Sequence, residues 1–130
     1  FHKSMITDEP LGVLLGIMPW NYPYWQILRF SIPALMAGNA VLIKPAPNVF
    51  QCAKALEHLF WEAGFPRDIF QVLFIPEILT ELAIKDAHIQ GIAFTGSTNG
   101  GSIIASRAGK YLKKNKPNAK HHRQPANTQN

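Results

Sequence analysis

Short apolar runs alternate with amphipathic stretches along most of this chain. Four runs are continuous and lack helical spacing, which predicts buried strands. Four intervening segments repeat apolar residues at steps of three or four, which predicts helices. The predicted strands are 12–18, 40–43, 70–75 and 89–94, and the predicted helices are 24–37, 49–63, 77–85 and 102–112. Because strand and helix alternate, we expect an α/β fold with an open parallel sheet of about four strands and helices on both faces.

Proline, glycine and asparagine mark the ends of these elements. Pro33 lies inside the first predicted helix and is expected to kink it or to split it into two turns. Gly38 and Asn39 are expected to stop that helix in the manner of a C-terminal cap. Asn48 is expected to be the N-cap of the second helix, because its side chain can accept a hydrogen bond from a free backbone N–H.

The character of the chain changes after residue 114. Residues 115–130 contain no Val, Ile, Leu, Met or aromatic residue. Such a segment cannot bury enough apolar area to offset its ordering entropy, so we expect it to be disordered. The predicted division is therefore a folded domain over 1–114 and a polar, basic tail over 115–130.

The formal net charge of +5 belongs to the tail. Residues 110–130 hold six of the 13 Lys and Arg residues and no acid, whereas residues 1–109 hold seven basic and eight acidic residues, a net charge of −1. The folded part therefore gives no reason to expect nucleic acid as a partner. The tail could contact phosphates, but no aromatic residue interleaves it to stack on bases.

Cysteine and histidine usage favours a plain cytoplasmic protein without a metal site. The only cysteine, Cys52, excludes an internal disulfide and fits a reducing compartment. It lies on a predicted helix without a nearby cation to lower its pKa, so we interpret it as structural. His58 and His88 are isolated, and the apolar run 11–20 is too short to span a bilayer.

Two turns stand out because each follows a predicted strand. Residues 19–23 read Pro-Trp-Asn-Tyr-Pro, and residues 96–101 read Gly-Ser-Thr-Asn-Gly-Gly. Glycines let the backbone approach a ligand and adopt a positive φ where one is required, and N–H groups at a helix start can bind phosphate. The second turn matches no standard phosphate motif, so alone it fits a ligand-free turn equally well. Both turns and Lys44 are expected at the carboxyl ends of parallel strands, where such sheets bind ligands.

Four motifs together resemble the aldehyde dehydrogenase family, in its order and at its spacing, over about residues 9–114. They are Pro-Leu-Gly at 10–12, Pro-Trp-Asn-Tyr-Pro at 19–23, Ala-Gly-Asn-Ala-Val-Leu-Ile-Lys-Pro at 37–45 and Phe-Thr-Gly-Ser-Thr at 94–98. Residues 46–50 and 100–114 look most similar to the succinate-semialdehyde dehydrogenase-like branch. The resemblance implies part of a Rossmann-like domain that binds NAD or NADP, an aldehyde substrate similar to succinate semialdehyde, and a homo-oligomeric parent protein.

The resemblance also implies roles for individual residues. Asn21 matches an asparagine whose side-chain amide stabilises negative charge on the aldehyde oxygen. Lys44 matches a lysine that reaches the adenosine ribose. The other implied cofactor positions are Ile17, Met18, Pro19 and Trp20 on the nicotinamide side, Pro45, Ala46 and Pro47 beside the lysine, and Gly96 and Ser97 in the pyrophosphate turn.

The chain departs from the family pattern in ways that bear on function. Family members that prefer NAD often have Glu at the position of Pro47, so both NAD and NADP stay open. The family's Leu-Glu-Leu-Gly-Gly strand with the general base, its nucleophilic cysteine, and its substrate-binding and oligomerisation regions do not occur in these 130 residues. This loss of family character after residue 114 makes the domain incomplete and fits a shifted reading frame or a premature truncation, which resequencing of the coding DNA tests. We therefore expect the chain alone to be inactive as a dehydrogenase. The alternative is a non-catalytic nucleotide-binding or assembly module.

Overall fold

The computed structural model describes residues 9–111 and 113–119, and within them an alternating series of strands and helices. The strands are β1 (Val13–Met18), β2 (Ala40–Pro45), β3 (Phe70–Val72), β4 (Ile89–Gly96) and β5 (Lys114–Ala119). The α-helices are α1 (Pro23–Met36), α2 (Phe50–Glu62), α3 (Thr80–Lys85) and α4 (Thr98–Lys110). Short 3-10 turns at Pro47–Val49 and Glu77–Leu79 precede α2 and α3.

All strand pairings in the described sheet are parallel, and the order is β3-β2-β1-β4-β5. In this register Ile17 of β1 lies between Lys44 of β2 and Phe94 of β4. The chain therefore moves outward from β1 to β3 and then returns to β4 on its other side. The predicted open parallel α/β sheet is confirmed, with five strands where about four were expected.

The fifth strand corrects the expectation of disorder from residue 115 onward. Residues 114–119 pair with residues 91–96 of β4 in continuous parallel register. The prediction counted only apolar side chains, whereas backbone hydrogen bonds to β4 order this polar segment. Pro117 fits an edge strand, because its missing N–H can face away from the partner strand. Residues 120–130 lie outside the described residues.

Apolar side chains cover both faces of the sheet, as predicted. On one face α1 and α2 pack on the strands through a cluster that includes Ile27, Ile43 and Phe70, all 1% exposed or less. On the other face α3 and α4 contribute to a second cluster with β1 and β4: Leu15, Ile17, Ile84, Ile89, Ile92, Ile104 and Ala108. Each face buries several branched side chains, and their removal from water is the main contribution to the stability of the domain.

Two boundary predictions concern α1. Pro33 does not split this helix, which runs unbroken from Pro23 to Met36. Buried Ile27 and Ala34 hold the helix against the sheet and offset the missing hydrogen bond. The predicted stop is confirmed: Gly38 adopts a φ of 86°, and Asn39 Oδ1 accepts hydrogen bonds from the backbone N–H groups of residues 11 and 12 at 2.7 and 3.2 Å.

The starts of α2 and α4 differ from the predictions. Asn48 does not cap α2: it lies inside a 3-10 turn, and the cap position is Val49, without a side-chain hydrogen bond. The α4 helix begins at Thr98, four residues before the predicted start. Its cap is Ser97, whose Oγ accepts a hydrogen bond from the N–H of Gly100 at 3.1 Å. The small residues after β4 are therefore the first turn of a helix rather than a loop.

Candidate functional site

A cleft of about 320 Å³ opens at the carboxyl ends of β1, β2 and β4. The volume lies within the range of small-molecule sites, and the position is where parallel sheets bind ligands. Seven of the predicted positions line it: Ile17, Met18, Pro19, Lys44, Ala46, Pro47 and Gly96. The remaining lining residues are Glu77, Ile78, Thr80, Phe94, Thr95, Gly100, Ile103, Ile104 and Arg107.

Lys44 brings a positive charge into this cleft from the end of β2. The residue is 3% exposed, and within the described part of the chain its ammonium group makes no hydrogen bond or ion pair. A buried charge is costly unless a partner compensates it. An anionic or hydroxyl-rich ligand in the cleft supplies such a partner, so the surroundings of Lys44 fit a phosphate or a ribose.

A second polar group of the cleft also lacks a partner. The Oγ1 atom of Thr80 is buried and has no hydrogen-bond partner among the described residues. Most buried hydroxyls in proteins are paired, so an unpaired one beside a cleft fits a site that receives a polar ligand. Sequence reasoning missed Thr80, because a single Thr at a helix start carries no distinctive pattern.

The end of β1 and the residue that follows it also line the cleft. The N–H of Ala46 donates to the carbonyl of Met18 at 3.0 Å, which fixes the end of β1 beside the end of β2. Trp20 is 65% exposed and, like the half-buried Asn21, is not among the residues that line the cleft. The cofactor positions predicted at 17–19 are therefore assembled in the cleft, whereas the Trp-Asn pair lies outside its lining.

Tyr22 gives the turn before α1 an unusual backbone. It has φ 51° and ψ 52°, the only positive φ at a non-glycine residue in the described chain. This left-handed conformation costs free energy for a residue with a Cβ, and such residues concentrate at functional sites. The following residue, Pro23, disfavours the right-handed helical region at Tyr22. This strained residue directly follows Asn21 in the chain.

The glycine turn has a different explanation from the one expected. Gly96, Gly100 and Gly101 do not adopt positive φ. Instead, a Cβ at Gly96 would lie 2.5 Å from Cζ of Phe94, and one at Gly100 would lie 2.8 Å from it. The missing side chains make room for the Phe94 ring, which lines the cleft.

Ser97 and Pro45 are predicted positions that do not line the cleft. Ser97 is exposed, and because its oxygen accepts from Gly100, its own O–H remains free to donate. Pro45 is buried as the last residue of β2, next to Lys44. Both residues lie at the same edge of the sheet as the cleft without lining it.

A polar cluster joins α3 to α4 behind the cleft. Tyr111 donates a hydrogen bond to Glu81 at 3.1 Å, and the Arg107 Nε and Lys110 Nζ atoms lie 3.6 Å from its carboxylate oxygens. The hydrogen bond from Tyr111, and then the charges of Lys110 and Arg107, lower the pKa of Glu81. Arg107 also lines the cleft, so its charge is shared between Glu81 and that space.

The only cysteine of the chain lies away from the cleft. Cys52 is half-buried on α2 and does not line the cleft.

Among the described residues, no three His, Cys, Asp or Glu side chains form a group that could hold a metal ion. No helix in that part of the chain is both long and apolar enough to cross a membrane. A smaller cavity of about 150 Å³ next to Met18 and Phe94 is lined on the α1 side by Gln26, Arg29, Phe30 and Pro33.

The fold and the position of the cleft define a Rossmann-like α/β domain. The family model for the aldehyde dehydrogenase family matches residues 1–116, so the chain belongs to the aldehyde dehydrogenase family. The resemblance seen in the sequence motifs is thereby confirmed.

Individual relatives agree with this assignment. The chain is 49% identical over 109 residues to an aldehyde dehydrogenase of Paenarthrobacter nicotinovorans, which covers 84% of this chain and 24% of the relative. It is 43% identical over 111 residues to an NADP⁺ succinate-semialdehyde dehydrogenase of Mycobacterium leprae, which covers 85% of this chain and 24% of the relative. It therefore spans about a quarter of the length of these curated relatives.

A solved structure shows the same fold. The succinic semialdehyde dehydrogenase of Streptococcus pyogenes, in complex with NADP⁺, superposes with a TM-score of 0.82 at 37% identity. The superposition covers 85% of this chain and 24% of that one. The described part of the chain thus has the architecture of one segment of a much longer family member.

Proposed function

We propose that this chain is the dinucleotide-binding segment of an NAD(P)-dependent aldehyde dehydrogenase that oxidises an aldehyde similar to succinate semialdehyde to the carboxylic acid. The proposal depends mainly on the cleft at the carboxyl ends of β1, β2 and β4. Lys44 lines this cleft as a buried cation that makes no ion pair or side-chain hydrogen bond among the described residues. The relatives named as succinate-semialdehyde dehydrogenases support the substrate class.

Each wall of the cleft has a part in holding NAD or NADP. Lys44 donates to the hydroxyls of the adenosine ribose, with Pro45, Ala46 and Pro47 beside it. The N-terminus of α4, with Gly96 and Ser97, binds the pyrophosphate through free N–H groups and the positive end of the helix dipole. Ile17, Met18 and Pro19 pack on the nicotinamide side, with Trp20 at its edge. When bound, the nicotinamide supplies the hydride acceptor for aldehyde oxidation.

Asn21 acts on the substrate rather than on the cofactor. Its side-chain amide donates a hydrogen bond to the aldehyde oxygen, on which negative charge develops during nucleophilic attack. The left-handed Tyr22 that follows it supports this role, since strained backbone conformations concentrate at functional sites. Such a preorganised donor contributes roughly 10²–10³-fold to turnover in other enzymes.

The 130 residues alone are proposed to bind the cofactor without turnover. The single cysteine lies on α2 outside the cleft, so it is not in position to attack an aldehyde beside the nicotinamide. We further propose that the longer protein is a cytoplasmic homo-oligomer. The alternative is a non-catalytic nucleotide-binding or assembly module. Such a module would use the same cleft, but its full-length form would catalyse no reaction.

Titration calorimetry of the chain with NAD⁺ and NADP⁺ tests the proposal. We expect saturable binding of at least one cofactor, and a loss of roughly 10-fold or more in affinity for Lys44→Met, because a charge-assisted hydrogen bond is removed. Lys85→Met, at the exposed end of α3, removes the same charge outside the cleft and is expected to bind normally. Absence of binding, or equal losses in both variants, would contradict the proposed site.

A dehydrogenase assay separates the catalytic part of the proposal. The chain is mixed with succinate semialdehyde and each cofactor, and formation of the reduced cofactor is followed by absorbance. We expect none from the 130 residues. Turnover that Cys52→Ser abolishes would overturn our interpretation of Cys52 as structural.

A further inference from the structure

The cleft contains a carboxylate that the sequence motifs do not indicate. Glu77 begins the 3-10 turn after β3, the strand that lies next to β2 in the sheet. Parallel neighbours end at the same edge, so the turn after β3 lies beside the turn after β2. Glu77 accordingly lines the cleft together with Lys44 and Pro47.

Glu77 is also free to face a ligand. Its side chain is exposed, and its carboxylate has no hydrogen bond or ion pair within residues 9–111 and 113–119. Glu81, one turn later, is already engaged by Tyr111, Arg107 and Lys110 and does not line the cleft. Glu77 is therefore the only carboxylate among the described lining residues.

We propose that Glu77 sets the preference between NAD and NADP. This inference rests on the proposed function of the cleft. A carboxylate beside the adenosine ribose accepts hydrogen bonds from its hydroxyls and repels a 2′-phosphate. Pro47 has no polar side chain for this task, and Glu77 brings the charge to the same cleft from the turn after β3. Lys44 and Arg107, the two cations among the described lining residues, attract both cofactors, whereas Glu77 is the lining group that repels the additional phosphate of NADP.

Calorimetric titration of the full chain with NAD⁺ and NADP⁺, at low and at physiological salt, tests this role. For Glu77→Gln we expect the ratio of NADP⁺ to NAD⁺ affinity to rise roughly 5–10-fold at low salt, because the repulsion of a doubly charged phosphate is removed. The change should shrink at higher ionic strength, where the interaction is screened. Glu77→Asp keeps the charge and is expected to leave the ratio within about twofold of the original.

Glu62→Gln is the matched control. Glu62 ends α2 before β3 begins, so it lies toward the opposite edge of the sheet and does not line the cleft. It removes the same formal charge and should leave the affinity ratio unchanged. An unchanged ratio in Glu77→Gln, or an equal rise in Glu62→Gln, would overturn the role of Glu77. If the original chain bound neither cofactor, the proposed function would fail first, and this inference would fall with it.

Discussion

β1 and β5 flank the same strand, β4, and both pair with it in parallel, yet different interactions hold them. β1 lies in the middle of the sheet and buries side chains on both faces, including Leu15 at 0% exposure and Met18 at 3%. β5 forms the edge and is almost entirely polar, with a proline at position 117. The contrast shows that hydrophobic patterning predicts strands that are stabilised by buried apolar side chains. It misses a polar strand whose observed contact with the sheet is backbone pairing.

The largest effect is expected from the central strands. Ile43 in β2 is 0% exposed, so Ile43→Ala removes buried apolar area and leaves a cavity, which lowers the free energy of unfolding by about 2–5 kcal/mol. Ile78→Ala is the control, because Ile78 is 85% exposed and its change should stay within about 0.5 kcal/mol. Urea unfolding followed by circular dichroism measures both. Similar values for the two variants would contradict the described core.

A smaller effect is expected at the edge. A chain that ends at Lys113 loses the backbone pairing of β5 with β4, and we expect its free energy of unfolding to fall by roughly 1–3 kcal/mol. A chain that ends at Ala119 keeps that pairing and should match the full chain within about 0.5 kcal/mol. If both truncations unfold at the same urea concentration, β5 contributes nothing and the original expectation of disorder from residue 115 stands.

The start of α4 allows a finer test. Ser97→Ala removes the side chain that accepts the Gly100 N–H, and the loss of such a cap costs about 0.5–2 kcal/mol. Ser102→Ala changes an exposed serine within the same helix and should be neutral or slightly stabilising, since alanine favours helix more than serine. Thermal unfolding of the two variants compares them. Equal destabilisation would show that Ser97 has no capping role.

The smallest effect concerns the pH dependence of the α3–α4 contact. The pKa of Glu81 is lowered in the folded chain, so its contribution to stability is present above the ordinary glutamate pKa of about 4.3 and is lost as the pH falls through the lowered value. Glu81→Gln lacks that titration. Melting temperatures of the two chains should therefore differ at neutral pH and converge as the pH falls below the lowered pKa of Glu81. A constant difference across this range would contradict the assignment.

The sequence was sufficient for the central sheet and for much of the cleft. Continuous apolar runs located β1, β2 and β4, and the strand–helix order placed Lys44 and the two turns at one edge. The β5 strand was missed because its order comes from pairing with a distant segment. The predicted N-cap at Asn48 was wrong, because a 3-10 turn lies before α2 and Asn48 is inside that turn. The cap position is the residue directly before the first turn of the α-helix, which is Val49.

The unpredicted parts of the cleft have a common physical origin. Phe94 explains the glycines at 96 and 100 through a packing contact that no local pattern reveals. Glu77 reaches the cleft only because β3 lies beside β2 in the sheet. The sequence indicates where each strand ends. Which strands lie next to each other depends on the topology of the sheet, which the sequence pattern does not determine. Pro23 restricts the backbone of Tyr22, but this restriction favours an extended conformation and does not indicate the left-handed one that the structure shows.

Amide hydrogen exchange, resolved by residue and recorded with and without saturating NADP⁺ or NAD⁺, tests the cleft most directly. We predict slower exchange in the presence of cofactor at the carboxyl ends of the central strands, at the non-proline residues of 17–20, 44–47 and 96–101. The groove between α1 and α2 near Phe60 and Phe65, at the other edge of the sheet, should be unaffected. Protection confined to that groove, or no protection anywhere at saturating cofactor, would contradict the assignment of the cleft as the dinucleotide site.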